Sequence, residues 1–296
     1  MRVFVTGGSG FIGSAAVPEL LGAGHQVLAL ARSDKSAEAL KAAGAEVHRG
    51  GLDDPDDLAR AAAGTDGVLH LAFNHDDFPD VTRAVETDLR VIEAIGAALE
   101  GSDRPFVVTS GTMMLAAVDG VATEQDIPAP RIHRGACDLA ALALAERGVR
   151  SSVVRLAPTV HGRGDQGFVP QLIDVARRTG VAAYVGEGTN RWPAVHRLDA
   201  AHLYRLALES APAGTALHGA ADHGVPFKDI ATAISKGLDV PLKSVPPTES
   251  EAHFGWLGAV AAIDNATSSE RTRKLLGWEP EQPGLIADLE EGRHYF

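Results

Sequence analysis

The sequence has one cysteine, a shortage of positive charge and no long apolar run. The single cysteine, Cys137, excludes an intramolecular disulfide and a metal site built from several cysteines. The 27 Lys and Arg residues stand against 39 Asp and Glu, a net charge of −12, which argues against general attraction to nucleic acid or an anionic membrane. No stretch approaches the roughly 20 apolar residues of a membrane-spanning helix. The apolar run before the glycines of MRVFVTGGSG is too short for a signal peptide, so we expect a cytoplasmic protein.

What the sequence does have is a regular alternation of short apolar runs and helical patterns in its first half. The predicted strands are Val3–Thr6, Gln26–Leu30, Glu46–His48, Gly67–Leu71, Phe106–Thr109 and Ser152–Arg155. The predicted helices cover about 11–23, 35–43, 56–63, 80–99 and 131–147. Strands separated by helices form βαβ units, which predicts an α/β fold with a doubly wound parallel sheet.

After residue 160 the alternation loosens, and Gly, Pro and His become frequent. We therefore predict a Rossmann-type domain over residues 1–165, to which the segment 195–219 returns. Residues 166–296 form mostly a smaller C-terminal region that binds the substrate. The length allows either one large domain or two interlocked ones.

Glycines follow the first strand directly and open the first predicted helix. Gly7, Gly10 and Gly13 have this placement, and Gly8, Gly10 and Gly13 also match G-x-G-x-x-G. Glycines here permit a tight turn, close approach to a pyrophosphate and close helix-to-strand packing. The pattern predicts a dinucleotide site, and the alternative is a glycine-rich turn without a ligand.

The end of the second strand indicates which dinucleotide is bound. An NAD site places an acidic residue there, for the ribose 2′-hydroxyl. This chain has Arg32 and Ser33 instead, which can bind a 2′-phosphate. The sequence thus favours NADP(H), and the alternative for Arg32 is a solvated strand end.

Five motifs together resemble the short-chain dehydrogenase/reductase superfamily, in its extended and atypical, epimerase/dehydratase-like branch. They are TGGSGFIG, RGGLDD, GVLHLAF, FVVTSGT and VVRLAPTVHGRGD. The resemblance implies that Leu52 and Asp53 lie beside the adenine, and that Pro158 to Val160 approach the nicotinamide. Gly51 stands where relatives usually have aspartate. The full set of expected cofactor contacts is Gly7, Gly10, Phe11, Ile12, Gly13, Arg32, Ser33, Leu52, Asp53, Leu71, Ala72, Phe73, Thr109, Arg134, Pro158, Thr159 and Val160.

The superfamily's catalytic Tyr-x-x-x-Lys motif is missing. Aligning the helix through Gly148 places Arg134 at the lysine and Pro130 at the tyrosine, and no tyrosine lies between residues 100 and 183. The helix instead begins with basic residues, which its positive end disfavours. We infer that this helix start faces the cofactor and that Arg134 takes over the role of the lysine. A solvated helix end is the alternative.

Hydride delivery to a carbonyl also needs a proton donor or a group that stabilises the developing oxyanion. The resemblance makes Ser110 and Thr112 candidates, because they flank the usual position of the catalytic serine. His133 titrates in a useful range, and His161 aligns with a position that often borders the substrate. No histidines are spaced as metal ligands, so no metal is predicted.

Two functions remain open. The first is an NADP-dependent oxidoreductase acting on a small carbonyl or imine compound. The second is a non-catalytic NADP-binding redox sensor or regulator that has lost the tyrosine. For either, the resemblance implies a homodimer through the helices at 80–99 and 131–147, and two-fold dimers are the commonest oligomers.

Overall fold

The structure, a computed structural model, describes residues 1–75, 81–116, 118–128, 134–292 and 294–296. Its strands in chain order are β1 (Arg2–Thr6), β2 (Gln26–Ala31), β3 (Glu46–Arg49), β4 (Gly67–His70), β5 (Pro105–Gly111), β6 (Arg150–Leu156), β7 (Thr159–His161), β8 (Ala182–Val185), β9 (Arg191–His196), β10 (Thr215–Gly219), β11 (Asp222–Pro226) and β12 (Leu242–Val245).

Helices connect most of these strands. They are α1 (Gly13–Gly22), α2 (Asp34–Ala42), α3 (Pro55–Ala63), α4 (Thr82–Leu99), α5 (Gly135–Ala143), α6 (Phe168–Thr179), α7 (Arg197–Ser210), α8 (Phe227–Leu238), α9 (Ser250–Phe254), α10 (Gly258–Ala261), α11 (Glu270–Leu276) and α12 (Leu285–Glu291). None of the helices in the described ranges is long and apolar enough to cross a bilayer.

Seven strands form one parallel sheet in the order β10-β6-β5-β4-β1-β2-β3. The inner strands are mostly apolar because helices cover both faces of such a sheet, and every residue of β4 is buried. The chain winds outward in one direction from β1 to β3 and in the other from β4 to β10. Ligands of doubly wound sheets bind at this reversal, beyond the carboxyl ends of the strands, so the fold places the site between β1 and β4.

A smaller region packs beside the large sheet. It contains a three-stranded sheet in the order β11-β9-β7 and a parallel pair of β8 and β12. Its core is rich in aromatic side chains, among them Trp192, Phe227 and Phe254. The predicted fold class, a Rossmann-type parallel sheet with a smaller C-terminal region, is therefore confirmed.

The helix predicted over residues 131–147, which begins with basic residues, is shorter in the structure than the sequence pattern predicts. Among the described residues α5 begins at Gly135 and passes into a 3₁₀ turn, Leu144–Arg147. It ends at Gly148, which has a left-handed φ of 72°, the conformation in which glycine commonly ends a helix. Residues 129–133, which include the candidate His133, lie outside the described residues.

Candidate functional site

The turn between β1 and α1 has the geometry that a pyrophosphate requires. Gly7 has a left-handed φ of 70°, and a Cβ there would lie 2.6 Å from the backbone nitrogen of Ala72. A Cβ on Gly13 would overlap the carbonyl oxygen of Gly7, so α1 packs directly on the turn. Within the described atoms, a Cβ on Gly10 would approach only that carbonyl oxygen, at 3.2 Å. The outer side of Gly10 is thus open where backbone and ligand meet.

This geometry selects one register of the glycine motif. Gly8 is buried, and a Cβ on it would face side-chain atoms of Leu40 at 3.1 Å and Val17 at 3.2 Å. Gly8 therefore serves packing beneath the turn. Phe11 and Ile12 lead into α1. The amides of Ser14 and Ala15 already donate to the carbonyl oxygens of Gly10 and Ile12, so a phosphate would be held by the amides that precede them at the helix N-terminus.

A buried chain of polar groups ties the end of β4 to the glycine turn. The hydroxyl of Thr6 accepts a hydrogen bond from the backbone N–H of Ala72 at 3.2 Å. The same oxygen lies 2.6 Å from Nδ1 of His70, and Nε2 of His70 lies 2.8 Å from Oδ1 of Asp88. These contacts hold the predicted cofactor segment 71–73 against the turn.

The side chain of Arg134 lies over that segment. Its guanidinium carbon is 3.8 Å from the centre of the Phe73 ring, and Nη2 donates to the carbonyl oxygen of Thr109 at 3.4 Å. Nε of Arg134 and the hydroxyl of Ser110 are both buried, and neither has a hydrogen-bond partner in the described part of the chain. Buried polar groups are normally paired, so two unpaired groups near the end of β5 indicate the position of a ligand.

An ion pair fixes the helix that follows Arg134. Nε of Arg155, on β6, donates to Oδ2 of Asp138 at 2.6 Å, and both side chains are almost fully buried. Arg155 also donates to the carbonyl oxygen of Asp126 at 3.0 Å. Asp138 lies one turn after Arg134, so the pair sets where the helix starts. Arg155 was missed by the sequence analysis, although an arginine inside the apolar strand RSSVVRL is itself a signal.

At the carboxyl end of β2, Arg32 is exposed. The hydroxyl of Ser33 caps α2 by accepting a hydrogen bond from the backbone N–H of Ser36 at 3.2 Å. Ser33 therefore has a structural role at the position where a phosphate contact is predicted.

Arg49, which ends β3 beside this position, was not predicted from the sequence. Arg49 donates to the carbonyl oxygen of Ser33 at 2.6 Å and to Oδ1 of Asp34 at 2.8 Å. The parallel pairing of Ala31 with Arg49 is what brings it there, and strand order cannot be read from composition. Asp34, the nearest acid, is thus already paired with a cation.

The two residues predicted beside the adenine lie on the loop between β3 and α3. Leu52 is half-buried and packs against the core, whereas Asp53 is exposed. A Cβ on Gly51 would have no described atom within 4 Å. This edge of the site is open on the side where an adenine ring is expected.

Two candidate substrate contacts have other roles in the structure. The hydroxyl of Thr112 is fully buried and donates to Oδ1 of Asn265 at 2.8 Å. The ring of His161 is also buried, with Nδ1 2.8 Å from Oδ2 of Asp288. Both side chains are thus enclosed and engaged with other residues in this structure, and a contact with substrate from either of them stays a prediction.

The segment predicted to approach the nicotinamide follows β6 directly. Pro158 and Val160 are half-buried, and the hydroxyl of Thr159 donates to the carbonyl oxygen of Pro193. The segment lies at the carboxyl edge of the sheet, where its contact with the nicotinamide is predicted. Because the Thr159 hydroxyl is already bonded to Pro193, a contact from this residue would come from its backbone.

The three tyrosines of the sequence lie outside α5 and outside the described residues that adjoin it. Tyr204 is fully buried on α7, and its hydroxyl lies 2.8 Å from Oγ1 of Thr109. Burial raises the pKa of Tyr204 far above its ordinary value, so the hydroxyl stays protonated at neutral pH. Its contact with Thr109 links α7 to β5. Tyr184 and Tyr295 belong to the smaller region. The described residues contain no group of three His, Cys, Asp or Glu that is placed to hold a metal ion.

Comparisons with known proteins give one consistent result. Residues 3–218 match the model of the NAD dependent epimerase/dehydratase family. The chain is 48% identical over its whole length to "Uncharacterized protein C2A9.02" of Schizosaccharomyces pombe, also covered in full. It is 32% identical to 2-alkyl-3-oxoalkanoate reductase of Stenotrophomonas maltophilia, over 75% of this chain and 69% of that one. Among solved structures, DesIV, a dTDP-glucose 4,6-dehydratase of Streptomyces venezuelae with NAD bound, has a TM-score of 0.79 at 20% identity, covering 100% of this chain and 97% of its own.

The residues present fit a nicotinamide dinucleotide. The open side of Gly10 provides room for the pyrophosphate. At the far end of the same crevice, Arg134 Nε and Ser110 Oγ are buried donors that a ribose and a reacting oxygen would satisfy.

Replacing Arg134 by alanine tests its place in the site. We expect NADPH binding to weaken by about 1–3 kcal/mol, the scale of a hydrogen bond to a charged group. Arg134→Lys keeps the charge without the planar fork and should be milder. Fluorescence titration measures each dissociation constant.

Arg147→Ala is the matched control. This arginine lies just beyond the same helix and pairs with Glu100 at the surface, where such pairs contribute little. An unchanged NADPH affinity in the Arg134→Ala protein would remove Arg134 from the site.

Proposed function

The chain belongs to the NAD dependent epimerase/dehydratase family, and we propose that it is an NADP-dependent oxidoreductase acting on a small carbonyl or imine compound. The observation that carries the proposal is the pair of buried donors on Arg134 and Ser110 that have no hydrogen-bond partner among the described residues. They stand near the end of β5, across the sheet reversal from the glycine turn. A redox site needs both a cofactor clamp and a polar group for the reacting oxygen, and this edge of the sheet offers one of each.

Each residue has a distinct part in this proposal. When bound, the cofactor supplies or accepts the hydride. The glycine turn and the start of α1 hold its pyrophosphate, while Arg134 orients the ribose next to the nicotinamide. The hydroxyl of Ser110 donates a hydrogen bond to the substrate oxygen, and the charge of Arg134 stabilises negative charge that develops there. His133 stays a candidate for the proton donor.

The substrate class has support from a relative. The 32% identical bacterial protein is named a 2-alkyl-3-oxoalkanoate reductase, and a 3-oxoalkanoate is a ketone. The fold neighbour DesIV acts, by its printed name, on a nucleotide sugar, but its 20% identity supports the fold alone. We therefore favour a ketone or a related imine as the substrate.

Activity can be tested by following NADPH oxidation with a panel of aldehydes, ketones and cyclic imines. We expect turnover with at least one class, and none in a Gly10→Val protein, whose added side chain fills the space for the pyrophosphate. Gly22→Val is the control, because a Cβ at Gly22 meets no described atom within 4 Å. Tight NADPH binding without oxidation by any compound would contradict an enzyme and favour a redox sensor.

We propose NADP(H) as the cofactor because the end of β2 carries Arg32 and no free acid. Arg49 adds a second guanidinium there and neutralises Asp34. NADPH should bind at least about tenfold more tightly than NADH, since a charge-assisted pair contributes roughly 1.5–3 kcal/mol. Arg32→Ala should erase most of this preference, whereas Arg60→Ala, on the neighbouring exposed helix surface, should keep it. Equal affinities of the unmodified protein for both cofactors would contradict the assignment.

We also propose that the protein is a two-fold dimer in which α4 and α5 pack on the same helices of a second copy. Leu139 on α5 has 43% of its surface exposed, so it is one side chain that such a contact would cover. Light scattering at micromolar concentration should give twice the mass of the chain, and a monomer would rule the dimer out.

A further inference from the structure

The loop that follows β7 is held by the chain segment after α12. The hydroxyl of Tyr295 accepts a hydrogen bond from the backbone N–H of Gly162 at 3.1 Å and donates one to Oδ2 of Asp165 at 3.1 Å. Tyr295 itself is fixed, because Arg177 on α6 donates to its carbonyl oxygen at 3.1 Å. One hydroxyl therefore joins the beginning and the end of the loop 162–165.

A second contact anchors the strand just before this loop. Asp288 on α12 pairs with His161, whose ring also packs edge to face on His196 at 5.3 Å. Gly162 adopts a positive φ of 125°, and a Cβ there would lie 2.7 Å from Nε2 of His196. The backbone is thus pressed against its neighbours at the point where Tyr295 binds it.

On its other side the loop is not held by close packing. A pocket of about 250 Å³ lies between it and α6, lined by Asp165, Arg177, His294 and Tyr295 among others. Burial raises the pKa of Asp165 to about 6, while hydrogen bonds from the Gly167 N–H and the Tyr295 hydroxyl oppose the rise. This pocket is open to solvent on one side, so on this side the polar contacts of Asp165 and Tyr295 hold the loop in place of packed side chains.

We propose that Tyr295 is a positioning residue for the nicotinamide end of the cofactor. It acts through the loop 162–165, which continues directly from the segment Pro158 to Val160. The inference rests on the proposed function, since it takes that segment to border the nicotinamide. Tyr295 touches neither cofactor nor substrate. Pairing with β9 holds Thr159 and Val160, and the Tyr295 hydroxyl fixes the loop into which this strand leads. Its loss should therefore affect the nicotinamide half of the cofactor and spare the adenine half.

The test compares NADPH with adenosine 2′,5′-bisphosphate, which carries the adenine half alone. Tyr295→Phe should weaken NADPH binding about three- to tenfold, the effect of one or two lost hydrogen bonds. Its affinity for the bisphosphate should change by less than about twofold. Tyr184→Phe is the matched control, because in the described part of the chain its hydroxyl makes no hydrogen bond. A general loss of stability would weaken both ligands alike, and equal losses would therefore overturn the proposal.

A measurement on the unmodified protein does not depend on how the variant folds. Hydrogen exchange of a peptide covering 158–167 should slow when NADPH is added and stay unchanged with the bisphosphate. Equal exchange with both ligands would also overturn the role of the loop. If the unmodified protein binds neither ligand, the proposed function fails, whereas unchanged affinities in Tyr295→Phe refute only the role of Tyr295.

Discussion

The site depends on the buried ion pair between Asp138 and Arg155. Removing two charges from water costs several kcal/mol per ion. Here a 2.6 Å contact and a further hydrogen bond to the carbonyl of Asp126 offset part of that cost, while Oδ1 of Asp138 has no partner among the described residues. Such a pair does not tolerate a shift of α5 along β6. Sliding the helix by one residue would leave both charges buried and apart, a loss of about 3–5 kcal/mol. The ion pair therefore fixes the height and rotation of α5 against the sheet.

Because α5 is fixed, Arg134 is fixed at its N-terminal end, where a positive charge is unfavourable. The guanidinium stacks on Phe73 and donates to Thr109, where the carboxyl ends of β4 and β5 meet. Cation–ring stacking and the Thr109 carbonyl compensate part of the electrostatic cost. Nε of Arg134 has no partner among the described residues and is available to an anionic or hydroxyl-rich ligand. The glycine turn lies against the same segment, since Gly7 packs on Ala72, so one bound dinucleotide would contact both.

Local patterns predicted the fold well because parallel strands buried on both faces are nearly continuous apolar runs. The tight turn at Gly7 and the helix stop at Gly148 were also readable, since both positions need a positive φ. The roles of side chains on the substrate side could not be read from the sequence. Thr112 and His161 are enclosed by partners 153 and 127 residues away, and no local pattern encodes such pairings. Arg155 was overlooked because the sequence does not reveal which buried carboxylate will meet it.

The most direct test of the account is the structure of the protein with NADP(H) bound. We expect a guanidinium nitrogen of Arg134 to lie within about 3.5 Å of a ribose or phosphate oxygen of the cofactor, which is the limit of a hydrogen bond. The hydroxyl of Ser110 should face the nicotinamide, and the pyrophosphate should lie on the open side of Gly10. A cofactor bound in the crevice with Arg134 still stacked on Phe73 and out of reach of it would contradict the account.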